Sequence, residues 1–129
     1  VTLFETVIAL SVVGVLAALI VPTIRWINLR QRESERRVAA QEEVRNVVER
    51  AAMLPWDELR QEVVAGWKVS SNIENRLPDP RLKVTVDDQP DAAPPARRLH
   101  VELTWKAGAE QSSAPIRLTA WFHPRGESR

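Results

Sequence analysis

Cysteine is absent from the 129 residues, which removes a disulfide framework, a thiol nucleophile and a thiolate metal site together, though not an oxidising compartment. Histidine occurs only twice, at His100 and His123, and neither has a carboxylate at the spacing a zinc site uses. Charge of one sign is not in excess either. The net charge is +1 and the acidic and basic residues are interleaved, so no sustained basic surface is offered to nucleic acid. No glycine-rich phosphate loop, nucleophile elbow or Ser-His-Asp order can be read along the chain. Asp87, Asp88 and Asp91 are close in sequence, but their spacing matches no calcium loop. Neither a catalytic residue nor a metal or other cofactor is expected, and the chain is not expected to be an enzyme.

What is present is unevenly placed. The length leaves room for one ordinary domain, and 44% of the residues are apolar, yet they concentrate at the start. From Val1 to Ile24 the only charged side chain is Glu5, and the next is Arg25. About 20 apolar residues at ~1.5 Å rise cover a hydrocarbon layer of roughly 30 Å, so this stretch predicts a membrane span. Two features are unusual for a plain anchor. A carboxylate inside a bilayer is disfavoured by a few kcal/mol, which makes Glu5 a functional candidate. Gly14 leaves the backbone poorly restrained, and Pro22 removes a hydrogen bond and crowds the preceding turn. The sequence starts at Val1 rather than Met: either a leader has been removed or the start has been trimmed, and a cleaved leader fits a targeted protein.

Val1-Thr2-Leu3-Phe4-Glu5 resembles the mature start of type IV pilins and type II secretion pseudopilins, and Gly14-Val15-Leu16-Ala17-Ala18 followed by Pro22 is similar to the same family's next stretch in residue type and position. The resemblance implies that a prepilin peptidase cuts before Val1 and methylates the new amine. Members usually start with Phe, so Val1 is a departure. It further implies that Thr2, Phe4 and Glu5 belong to the assembly region, with Glu5 pairing with the N-terminal amine of a neighbouring subunit. In a dry core such pairing fixes register, because an unpaired carboxylate there is expensive. The segment from Gly14 to Pro22 is implied to kink, or to lose helix on assembly. Arg25, Arg30, Arg32, Arg36 and Arg37 follow the span and by the positive-inside rule would hold that side cytoplasmic. The resemblance implies the opposite orientation, which a basic leader would set.

From Ile24 to Ala52 the chain has no Pro or Gly and many good helix formers, which extends the first helix into a spine. Glu33 with Arg37 and Arg45 with Glu49 stand at helical spacing on a solvent face. Val44, Val47, Val48, Ala51 and Ala52 form a stripe suited to holding a head domain. Pro55 disfavours helix at Leu54. Trp56-Asp57-Glu58-Leu59 then opens a short second helix towards Val64, which Gly66 ends.

The last third alternates at period two. Leu82, Val84 and Val86 share one face, Leu99, Val101, Leu103 and Trp105 the next, and Ile116, Leu118, Ala120 and Phe122 a third. Short connections make this an antiparallel meander of about three strands. Asp87 to Ala96 reads as a long exposed loop and Lys106 to Ala114 as a polar turn, with Ser112 and Ser113 as exposed attachment points for a glycan. The five Trp residues, 26, 56, 67, 105 and 121, read as core and interface anchors, with Trp26 where an interfacial belt residue sits. Ala51 to Leu59 and the strands at 99–105 and 116–121 loosely resemble minor pilins of the V type and minor pseudopilins of the I type.

The expected fold is therefore α+β: a long N-terminal spine helix, apolar in its first half and kinked or melted near Gly14 to Pro22, packed on a small antiparallel sheet. Expected divisions are 1–24 for a membrane or filament-core segment, 25–54 for the amphipathic continuation and 55–129 for the head. The expected function is a structural subunit of a pilus-like filament. It would be stored in the inner membrane as a single-pass precursor and assembled with copies of itself and related pilins by a membrane platform into an extracellular or periplasm-spanning filament. Principal pilin, minor pilin and pseudopilin remain open, as do adhesion, motility, DNA uptake and secretion. The alternative is a single-span anchor carrying a binding module, adhesin-like, that does not polymerise.

Overall fold

The computed structural model describes residues 2–108 and 110–125. Its element order is α1 (Leu3–Met53), a 3-10 turn (Trp56–Glu58), α2 (Gln61–Val64), α3 (Ser71–Arg76), β1 (Arg81–Gln89), β2 (Ala96–Thr104) and β3 (Ile116–Phe122). The fold is α+β, with a long N-terminal helix and a sheet of three antiparallel strands in the order β1-β2-β3. The chain divides into two compact units, residues 1–35 and 36–129.

The first unit is helix from Leu3 onward, and its described side chains face outward almost without exception. The stretch from Gly14 to Pro22, expected to kink or melt, does not melt: α1 is helical through it, with Pro22 inside. Proline withholds one backbone donor, but unravelling several residues would free many more groups with nothing in a single chain to receive them. The Thr23 hydroxyl, next to Pro22, donates to the Leu19 carbonyl at 2.8 Å and ties the turn together.

In the second unit, the part of α1 after residue 35 supplies one wall of the core. Ala39, Ala40, Val44, Val47 and Ala51 are buried against Leu59, Val64, Ile73, Leu77, Val84, Leu99, Val101, Leu103 and Trp105. The expected stripe is largely there, with Val48 half-buried, but Ala52 is exposed. The strands alternate as the sequence predicts. Leu99, Val101, Leu103 and Trp105 all face the core. On β3 the same face is less covered, and Leu118 stays 39% exposed.

Three local expectations are corrected. The helix from Trp56 towards Val64 is broken at Leu59, where the chain leaves helical geometry (ψ 75°) to bury the leucine side chain. Its second part ends at Val64, ahead of Gly66 as expected, through Ala65 in right-handed helical geometry (φ −61°, ψ −28°). The loop from Asp87 is shorter than expected, because β1 and β2 pair as far as Gln89 opposite Ala96. Two cross-strand ion pairs extend the ladder, Asp87 with Arg98 and Asp88 with Arg97, each at 2.6 Å. In the Lys106 to Ala114 turn, Ser112 is exposed as expected but Ser113 is buried. Its hydroxyl accepts the Trp105 N–H at 3.1 Å.

Candidate functional site

Thr2 and Glu5 meet at the start of α1. The Glu5 N–H donates to Thr2 Oγ1 at 3.4 Å, and the Thr6 N–H donates to the Thr2 carbonyl at 3.3 Å. Thr2 thus occupies the capping position of a helix whose first turn carries Glu5. Thr-x-x-Glu is the capping-box spacing, a signal present in the sequence that the assembly reading passed over. A carboxylate in the first turn also complements the partial positive charge of the helix start. Phe4 is 74% exposed. Val1, expected to be processed and methylated, lies outside the described residues.

From Leu3 to Ile24 the helix is about 33 Å long at ~1.5 Å per residue, enough for the hydrocarbon layer of a bilayer. It is the one described helix long and apolar enough to cross a membrane, and none of its apolar window is buried. Its hydroxyls need no outside partner: Thr6, Ser11 and Thr23 donate back to the carbonyls of Thr2, Val7 and Leu19. That suits an apolar surrounding, where every backbone and side-chain polar group must be satisfied within the segment. Glu5 is the exception in charge. Gly14 has open space where a Cβ would stand, so packing within this chain does not require glycine there. At the end of the segment Trp26 is 55% exposed, and the Arg30 guanidinium lies 3.9 Å from its ring centroid. An indole beside a cationic head is the arrangement that favours a membrane–water boundary.

Comparison with protein-family models, with curated proteins and with solved structures finds no match. The fold, a long apolar N-terminal helix whose later part packs on a small antiparallel sheet, is consistent with a pilin-like architecture. The apolar helix is consistent with a membrane-associated structural module.

Three polar residues that organise the second unit were not singled out from the sequence. Glu43 is buried on α1, and its carboxylate accepts both the N–H and the hydroxyl of Ser70, at 2.8 and 3.0 Å. This contact holds the turn before α3 against the long helix. Gln61 on α2 bridges the free edge of β1: its amide donates to the Val84 carbonyl at 3.2 Å and accepts the Val86 N–H at 2.8 Å. Arg97 lies over the Trp56 ring at 4.3 Å from the centroid and donates to the Trp56 carbonyl as well as to Asp88. The partners are 27, 25 and 41 residues apart, too far for any short motif.

The opposite face of the sheet carries polar groups in register. Thr85, His100 and Thr119 form one row across the strands, and Asp87, Arg98 and Trp121 the next. Together they line a shallow groove of about 470 Å³. His100 Nδ1 and Thr119 Oγ1 are 2.9 Å apart. No group of three or more His, Asp or Glu side chains among the described residues converges as a metal site would require.

Proposed function

We propose that the chain is a non-enzymatic structural subunit of a type IV pilus-like helical filament. Residues 3–24 hold it in the inner membrane before assembly. On extraction by a membrane platform, that helix exchanges lipid for the helices of neighbouring copies and related pilins. The observation that carries this reading is the apolar helix itself, unburied over its whole membrane-length window and internally satisfied in its hydroxyls, with Glu5 as its one charge. A carboxylate in that setting needs a cationic partner once water is removed, and the resemblance names the processed, methylated amine of a neighbour for this part. Gly14 adds support, because small residues let helix backbones approach closely and no described residue stands within contact of a Cβ placed there.

The test is Glu5→Ala expressed from the native locus, with the sheared surface fraction and the membrane fraction quantified by N-terminal peptide mass spectrometry. The expected result is methylated Val1 peptide abundant in the surface fraction of the parent, and confined to the membrane in the variant. Equal surface yield from both would overturn the reading. A second reading, an anchored binding module that does not polymerise, draws on the polar groove of the outer sheet face. It requires Glu5→Ala to leave both localisation and binding intact.

A further inference from the structure

We propose that the outer face of the sheet around Trp121 is a binding site for a neutral saccharide. The site is a small rectangle of side chains, two rows deep and three strands wide: Thr85, His100 and Thr119 beside Asp87, Arg98 and Trp121. Its floor is hydrogen-bonded strand, so the groups are held in fixed spacing rather than carried on a loop. The volume, about 470 Å³, falls within the range of small-ligand sites.

Three observations select the ligand class. The first is the indole of Trp121, 54% exposed in a face otherwise polar. Leaving so large an apolar ring in water is unfavourable, and its flat face accepts an apolar ligand face while the surroundings stay wet. A pyranose ring presents such a face of C–H groups with hydroxyls around the rim. The second is the supply of both donors and acceptors. The Asp87 carboxylate accepts, the Arg98 guanidinium donates, and the threonine hydroxyls do either, which matches hydroxyl groups that themselves do both. The third is charge. Asp87 and Arg98, the acidic and the basic side chain that line the groove, pair at 2.6 Å, so the groove cancels its own charge; the row beyond the threonines holds Lys83 beside the Glu102–Arg117 pair and keeps its excess positive charge outside the lining. An anion would have to displace Asp87 from Arg98, and a cation would have to displace Arg98 from Asp87. A neutral polyol uses the spare lone pairs and N–H groups of the intact pair, whose mutual contact keeps both side chains in place before the ligand arrives. The Arg98 guanidinium also lies over the Trp121 ring, 5.9 Å from its centroid, so the donor and the stacking surface are neighbours.

The proposal concerns the head alone and does not depend on polymerisation. The test uses the full chain in phosphatidylcholine nanodiscs, which present no sugar, probed with glucose-, galactose- and N-acetylglucosamine-based oligosaccharides and with sialyllactose and a heparin tetrasaccharide as anionic probes. One neutral class is expected to bind in the millimolar range or tighter. Trp121→Ala should weaken it about tenfold, Trp121→Phe less, and Asp87→Asn measurably, with circular dichroism unchanged because the ring is exposed. Glu5→Ala, which tests assembly, should leave the affinity where it was. No neutral binding at about 10 mM, preference for the anionic probes, or affinity unmoved by Trp121→Ala would each overturn the proposal. So would loss of chain–chain crosslinking in Trp121→Ala with no saccharide bound, which would make this face a contact between copies.

Discussion

Leu10 and Leu99 are the same residue used in opposite ways. Leu10, in the apolar part of α1, is 67% exposed, whereas Leu99, in the middle of β2, is 0% exposed. The contrast extends to whole regions. Residues 36–129 bury most of their valines and leucines at least in part within the chain, Val38, Val63 and Leu118 excepted, with many polar groups turned outward or matched across strands. In residues 3–24 the hydroxyls are turned inward on the helix and the apolar groups face out. The hydrophobic effect gives no reason for a single chain in water to hold such a surface. One region is therefore complete in itself, and the other takes its solvent from outside: lipid before assembly and other helices afterwards, on the reading proposed above.

The largest effect that could break this comparison comes from truncating the same side chain in each region. Leu99→Ala should destabilise the second unit by about 2–5 kcal/mol, read as a fall in denaturation midpoint in micelles. Leu10→Ala should leave that midpoint unmoved, and a similar loss from Leu10→Ala would mean that the apolar segment contributes to the core after all. Next in size is Glu43→Ala, which removes the buried carboxylate that accepts both the N–H and the hydroxyl of the exposed Ser70. A cost of about 1.5–3 kcal/mol is expected, with early loss of amide protection at Ser70 and along α3. The smallest effect has the opposite sign: Gly14→Ala should raise the helicity of the first unit by up to about 1 kcal/mol, since a Cβ there meets nothing. Filament yield should nevertheless fall. If yield instead rises with helicity, close approach at Gly14 has no part in assembly.

The sequence made one half of this comparison plain and only part of the other. The span was legible because a run of one residue class needs no partner to be recognised. The strands at 82–86, 99–105 and 116–122 were legible because alternation is a local signal. Legibility failed where a side chain acts across the fold. Glu43 sits in a helix full of charges and differs from its neighbours only in facing Ser70. Asp87 and Asp88 read as loop formers until Arg98 and Arg97 stand opposite them. Thr2 is the exception, since its capping role was written within four residues and was obscured by the pilin-like resemblance of the same residues.

The Gln61 amide on the edge of β1 bears on symmetry. It stands in for a neighbouring peptide group at Val84 and Val86, so the middle of that edge cannot accept another strand. The far edge of β3 has no partner among the described residues. A sheet with one blocked and one open side can join a copy of itself only open side to open side. That is a two-fold contact which closes after two chains, whereas unlimited growth needs two different surfaces joined head to tail. Strand addition between sheets therefore supplies a way to stop at a dimer, and on the reading proposed above propagation along a filament comes from another part of the chain.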